Sequence, residues 1–575
     1  MERTLEMPVL KADRRHDLDA LRAFAMLLGI GYHAALSFGG TPWLVTDNQN
    51  SVAFHWFIEA VHGFRMQLFF LVSGYFTALL LARRGLGGML KNRAARILVP
   101  CLLGLATLIP LNNRVTEWAM AWNASHSATP LIAAITQGDA ETVTRLLEVG
   151  ADIEQTDSRF KTRPLGWAVL YGNEPMTRLL LDHGASAKAT TADGSTPLST
   201  AAFLGRIDLL KLLVERGGDC LAANKAGITP LMSTFADVEL TNTILKLLTG
   251  NEPADWGNMD KGRNDVRLYL GTKAATSGLA AFFTKKAVEK DAPSVEATAA
   301  KPIAVHPWLT SYARYLASEQ FRITVGPWKF QLFEDPTMTY LWFLWFLVWL
   351  VLIYGAFFWA WSRVFPAGGP RGLPLIPSLI LAIGLTLAPQ WFMDVPWFPG
   401  ASPTGAFGPD TAMGIIPKPH MLVYYGIFFF FGSHYQRLND RQALLGQGWW
   451  LMLPLALLGI FPIGLATLDN RALNAPVQVL FTWLMTVGMI GMFHTVLNRE
   501  NPFRRYLSDS SYWLYLAHLP LVIAGQAFVC DWQTPAVLKF LLVNGVSILI
   551  LLATYQILVR HTWLGLVLNG PQKKL

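Results

Sequence analysis

The sequence predicts an all-α protein: a polytopic membrane helix bundle of about ten transmembrane helices, interrupted by an inserted α-solenoid. Three observations carry this. The 575 residues are 52% hydrophobic and only 15% charged, with a mean hydropathy of +0.33, a balance that belongs to a membrane protein with a soluble part added. Loops rich in Lys and Arg alternate along the chain with loops nearly empty of them. Between residues 126 and 250 the long apolar runs give way to a motif that recurs every 33 or 34 residues. The net charge of +8 sits beside apolar segments rather than in one patch, which speaks for membrane orientation and against a nucleic-acid partner. Three cysteines, Cys101, Cys220 and Cys530, are too few and too scattered for a disulfide framework or a metal site.

Taken in order, residues 1–16 form a short polar tail. The first helix, 17–38, is interrupted by Asp17, Asp19 and Arg22, which argues against a cleaved signal peptide and for a retained membrane helix. A second helix covers about 53–82, a basic loop holds Arg83, Arg84, Lys91, Arg93 and Arg96, and a third helix covers 97–111. Helices are expected again near 340–362, 373–391, 418–434, 448–468, 475–497, 511–530 and 535–558. With the N-terminus inside, the basic loops all fall on one face: Arg83 to Arg96, Arg363 and Arg371, Arg437 and Arg441, Arg499 to Arg505, and Arg560 to Lys574. Opposite loops at 39–52 and 392–417 carry no Lys or Arg. Both termini should therefore be cytoplasmic and the insert, after an odd number of crossings, periplasmic.

The domain plan is a tail to residue 16, helices 1–3 over 17–112, repeats over 126–250, a linker and periplasmic approach over 251–335, and helices 4–10 with a short tail over 336–575. In the insert, Thr129-Pro130-Leu131, Arg163-Pro164-Leu165, Thr196-Pro197-Leu198 and Thr229-Pro230-Leu231 mark four units. Thr-Pro starts a helix after a turn, Ala201 and Ala202 let paired helices approach, and Gly150, Gly184 and Gly217 end the second helices. This pattern resembles the ankyrin repeat, although Ile132, Gly166, Ser199 and Met232 stand where that repeat usually carries His. The resemblance implies a binding surface for a protein or glycan partner, without chemistry of its own.

Residues eleven apart on a helix differ by about 20° beyond three turns and by roughly 16 Å in height, so Arg22 and His33 share one face of the first helix. Each is costly in lipid and needs a reason. A cation at the mouth and an imidazole deeper in suit an anionic substrate and a proton exchange; a snorkelling Arg and a packed His is the bland alternative. On the second helix His55, Glu59 and His62 line one face, so Glu59 could orient His33 or His62 as a general base, and a metal site is the weaker reading. Arg93 and Arg96, spaced i, i+3 at the expected cytoplasmic mouth, offer an anion site, with positive-inside bias alone as the other reason for their place.

Arg22 and His33 in a helix opened by Leu18-Asp19-Ala20-Leu21-Arg22, with Phe64-Arg65-Met66-Gln67-Leu68-Phe69-Phe70-Leu71-Val72-Ser73-Gly74-Tyr75 and Ser511-Tyr512-Trp513-Leu514-Tyr515-Leu516-Ala517-His518-Leu519-Pro520, resemble the acyltransferase 3 family, in its glucan-modifying branch. The resemblance covers roughly 10–112 and 335–565. It implies a multi-pass O-acyltransferase of the bacterial inner membrane that takes acyl-CoA as donor, a glycan hydroxyl as acceptor, and no bound cofactor or metal. Carried onto these positions, Arg22, Arg93 and Arg96 would hold the donor, His33 with Glu59 and His62 would act in catalysis, and Asp19, Arg65, Tyr515 and His518 would line the substrate path. A non-enzymatic class stays open: a transporter, or a membrane-anchored ankyrin receptor.

Overall fold

The computed structural model describes residues 15–40, 43–127, 129–157, 160–236, 238–249, 256–276, 307–325, 328–333, 337–366, 372–393, 407–411, 413–468, 470–499 and 501–569. The N-terminal tail to residue 14, the polar run 277–306 and the last residues from 570 lie outside them. Among the described residues two hydrophobic cores form, one in the apolar bundle and one in the repeat insert.

Helix α1 (His16–Ala35) places Asp17 and Asp19 in its first turn, where carboxylates complement the helix dipole. The expected second helix is two: α2 (Val52–His62) and α3 (Arg65–Arg93), broken at Gly63 and Phe64. The break leaves the Gly63 carbonyl outside a helical ladder, and the Thr482 hydroxyl and Gln67 amide donate to it instead. The basic stretch read as a loop is helical. Only at Gly85, with φ 66° and ψ 179°, does the backbone leave the helix, a conformation that glycine alone takes without strain. A π-helical turn, Ala94–Leu98, then leads into α4 (Val99–Ser127), which runs well past the expected end at 111.

Helix pairs α5 (Pro130–Gln137) and α6 (Ala140–Glu148), α7 (Pro164–Tyr171) and α8 (Glu174–Asp182), α9 (Pro197–Phe203) and α10 (Ile207–Glu215), and α11 (Pro230–Ser233) and α12 (Val238–Thr249) form the four repeat units. Thr129, Thr196 and Thr229 each accept a hydrogen bond from the amide three residues on, with Pro following as first helical residue. Arg163 has no capping oxygen and pairs with Glu154 at 2.9 Å instead.

The stretch read as a linker is partly folded. Helix α13 (Trp256–Thr276) closes the solenoid: buried Arg263 donates to the Phe203 and Ala236 carbonyls and the Thr241 hydroxyl, and lies over the Phe203 ring. After it come α14 (Pro307–Leu316) and an antiparallel hairpin of β1 (Arg322–Val325) and β2 (Trp328–Gln331), the one sheet among the described residues.

The bundle resumes with α15 (Trp342–Val364), α16 (Leu375–Gln390) and α17 (Pro419–Leu438). It continues through α18 (Trp449–Pro454) and α19 (Phe461–Ala466), joined by a π-helical turn, to α20 (Arg471–Leu497), α21 (Pro502–Val529), α22 (Ala536–Thr554) and α23 (Trp563–Asn569). Helix thus forms at every expected place. Among the described residues seven runs are long and apolar enough to cross a membrane by length and composition; α16 has only 16 residues, and α17 carries His420, Tyr424, Tyr425, Ser433 and His434. The count of ten stays an expectation. Helices α3 and α17 meet backbone to backbone: a Cβ added at Gly74 would overlap the Phe429 carbonyl, and one at Gly432 that of Leu71. Small residues let membrane helices approach this closely.

Candidate active site

Facing stripes on α1 and α3 build the site. Asp19, Arg22, Met26, Gly29 and His33 follow one another along α1, and Ser73, Phe69 and Arg65 along the neighbouring face of α3, so that each chain of residues climbs from a basic end to an imidazole end.

At the basic end lies a cavity of about 550 Å³ lined by six arginines, Arg15, Arg22, Arg83, Arg93, Arg96 and Arg441, with Asp19, Met26, Phe69 and Ser73 among its other walls. Arg22 pairs loosely with Asp19 at 3.8 Å and lies over the Phe76 ring. Arg15 is held by Asp17 and the Asp440 carbonyl, and Asp17 in turn meets His494 at 3.0 Å. The π-helical turn Ala94–Leu98, which follows Arg93 and contains Arg96, widens the backbone spiral, and both side chains reach the cavity. The Arg93 Nε is buried without a hydrogen-bond partner. Excess positive charge in a concave, half-enclosed space suits a polyanion.

At the other end His33 and His518 meet: His33 Nδ1 lies 2.8 Å from His518 Nε2. His518, fully buried, donates its Nδ1 proton to the Tyr515 carbonyl, because a carbonyl can only accept. Its Nε2 is then the acceptor in the neutral ring, so His33 donates through Nδ1 and its own Nε2 is left with a free lone pair. Half-buried His33 is the ring of the two that can be reached. Trp43 stacks beside it at 6.3 Å, Tyr32 meets it edge-on at 5.3 Å, and Tyr340 meets His518 edge-on. Gln526 fixes the end of α1 by donating to the His33 and Ala34 carbonyls, and it accepts from Trp43 Nε1. The loop that carries Trp43 is itself pinned, since the Asn123 amide of α4 pairs with both the N–H and the C=O of Thr46. The next residue, Asp47, forms a fully buried ion pair with Lys539 at 2.9 Å. Burial pushes the Asp47 carboxyl up to about 6, against the pull of the Lys539 ammonium and the Gln49 amide.

Glu59 and His62 do not sit where the sequence reading put them. Glu59 Oε2 accepts from the Phe407 amide, and His62 Nε2 lies 2.7 Å from the Pro409 carbonyl. Both anchor the 407–411 segment, and His518 takes the place beside His33. The face of α2 was legible, but its partner was a loop more than 340 residues away in sequence. Tyr515 gives its hydroxyl to the Tyr340 carbonyl while Tyr340 donates to the Leu516 carbonyl, a reciprocal lock behind His518. Arg65 lies over the Tyr32 ring at 4.8 Å. Among the described residues no group of three or more His, Cys, Asp or Glu is arranged to hold a metal ion. The sequence reading missed Arg15, Arg83 and Arg441 at the cavity and Trp43, Tyr340 and Gln526 around the imidazoles. For the arginines the positive charge of the basic loops was a signal; for the others there was none.

A family model described as an acyltransferase domain matches residues 15–162 and 302–556, more than half of the chain, and a model for three ankyrin repeats matches 131–225. Glucans biosynthesis protein C of Escherichia coli (strain K12) is 39% identical over 105 residues, 18% of this chain and 26% of that protein. The protein of that name from Shigella dysenteriae serotype 1 (strain Sd197) matches to the same extent. The chain thus spans about a quarter of the length of these curated relatives. Among solved structures, the ankyrin repeat domain of Bcl-3, described as a unique member of the IkappaB protein family, is 35% identical over 21% of this chain and 51% of that one, with a TM-score of 0.19. With the basic cavity, the paired imidazoles and a family model spanning both parts of the bundle, the chain belongs to the acyltransferase 3 family.

Proposed function

We propose that the chain is a membrane-bound O-acyltransferase that moves an acyl group, acetyl or succinyl, from a cytoplasmic acyl-CoA to a hydroxyl of an extracytoplasmic glycan, in a bacterial inner membrane. One observation carries the reading: a single helix, α1, holds a six-arginine cavity at one end and the free Nε2 of a histidine pair at the other. The phosphates of CoA suit Arg22, Arg93 and Arg96, and the thioester would extend along the α1–α3 stripe. His33 Nε2 takes the proton of the acceptor hydroxyl as its oxygen attacks the thioester carbonyl, and returns it to the departing sulfur. His518 is a positioning residue: it sets the tautomer that leaves Nε2 bare.

The charge alternation of the loops supports cytoplasmic termini and a periplasmic insert. There the ankyrin array would gather a glycan acceptor or a partner protein near the site and raise its effective concentration. The 39% identity to glucans biosynthesis protein C supports a glucan as acceptor. The test is thiol release from acetyl-CoA or succinyl-CoA by the purified protein with linear glucan oligomers, together with mass spectrometry of glycans from a deletion strain. Absence of acylated oligomers in the first and unchanged glycans in the second would overturn the reading.

A further inference from the structure

Arg65 is the next residue along the α3 stripe above Phe69, which lines the cavity. Its guanidinium rests against α1 at Gly29, one turn below His33: a Cβ at Gly29 would overlap Arg65 Nη1. The side chain is 8% exposed, and Nε and Nη1 are buried with no hydrogen-bond partner. Tyr32, Tyr515 and Tyr425 lie around it, and its charge also reaches His33 and His518. A buried cation with unmet donors is costly, and removing its desolvation cost needs an anion. Among the described residues no carboxylate pairs with it, and the position lies between donor cavity and base, where the reacting carbon has to pass.

We propose that Arg65 is a catalytic residue, the oxyanion donor of the transfer; this rests on the acyltransferase reading above. When the acceptor oxygen adds to the thioester carbonyl, a C–O bond forms, the C=O π pair moves onto the carbonyl oxygen, and the hydroxyl proton goes to His33 Nε2. Arg65 Nε and Nη1 hold the resulting negative charge. On collapse the C=O bond re-forms, the C–S bond breaks, and the thiolate takes the proton from the His33 imidazolium. Donors that are fixed before the reaction and satisfied only as charge develops are those that raise kcat rather than binding.

The experiment compares kcat and KM for acyl-CoA in wild type, Arg65→Gln, Gly29→Ala and Arg22→Ala, with binding of a non-reactive thioether analogue of acyl-CoA measured by calorimetry. Arg65→Gln should lose about 10²–10³-fold in kcat, the effect of removing one oxyanion donor, with analogue binding near wild type. Gly29→Ala, which displaces the end of a flexible side chain, should lose kcat in the same way. Arg22→Ala should instead raise KM. Added guanidinium should partly restore Arg65→Ala. Wild-type kcat in Arg65→Gln, or a change in KM and analogue binding alone, overturns the oxyanion role while leaving the acyltransferase reading standing; no turnover by wild type overturns both.

Discussion

Replacing His518 by Phe keeps a ring of similar size in its buried slot and removes both nitrogens. His33 Nδ1 then loses the acceptor at 2.8 Å, and with it the imidazole partner that favours the tautomer leaving Nε2 bare. A hydrogen bond to a buried neutral partner, with the penalty of an orphaned donor, is worth about 1–3 kcal/mol. At roughly 1.4 kcal/mol per factor of ten, the productive tautomer becomes about 5–150 times rarer. The whole base contributes about 10²–10⁴-fold, so His518→Phe should fall between wild type and His33→Ala, at about ten- to a hundredfold below wild type. Single-turnover thiol release from acyl-CoA in detergent, with glucan oligomer present, measures it. Wild-type activity in His518→Phe would refute the tautomer argument, and a loss as deep as that of His33→Ala would make His518 the base itself.

Reporter fusions at residues 90 and 570 should read cytoplasmic and one near 200 periplasmic; a cytoplasmic signal at 200 contradicts the charge argument. Gly74→Val presses a side chain into the Phe429 backbone and should lower the melting temperature, by more than the 1–3 kcal/mol of ordinary overpacking, as read by thermal shift in detergent. The Asp47 carboxyl is raised from 3.8 to about 6 in the folded protein, so its contribution to stability is greatest below 3.8 and is lost as pH rises through about 6, a change of roughly 3 kcal/mol. Lys539→Met strands that carboxylate and should cost about 3–5 kcal/mol at pH 8, with a smaller loss at pH 5, where Asp47 takes up a proton; an equal melting-point drop at both pH values would rule this out.

The apolar runs and the Thr-Pro-Leu step made the class and all four repeat units legible, because each rests on local chemistry: hydrophobic length in one case, capping oxygens at Thr129, Thr196 and Thr229 in the other. Arg22 with Arg93 and Arg96 was also legible, since their charge has to face a shared aqueous space. What failed was pairing across distance. His33 lies 485 residues from His518, and nothing in either stretch says which imidazole, carboxylate or carbonyl it will meet. Glu59 had the spacing of an orienting carboxylate, but it accepts from the Phe407 amide. The continuation through Lys91 and Arg93 looked like a loop because charge was read as exposure, whereas these are good helix formers once Gly85 has turned the chain.

The length of α4 changes what the array can do. This helix is 29 residues, about 43 Å of rod, and it ends at Ser127, two positions before the Thr129 hydroxyl that opens the first repeat helix. Up to that point the chain is helix and not an extended tether. Near its end the helix grips the Thr46 backbone through Asn123, and three residues before Thr46 stands the indole that flanks His33. The same helix thus ties the loop that frames the base to the stretch just ahead of the array.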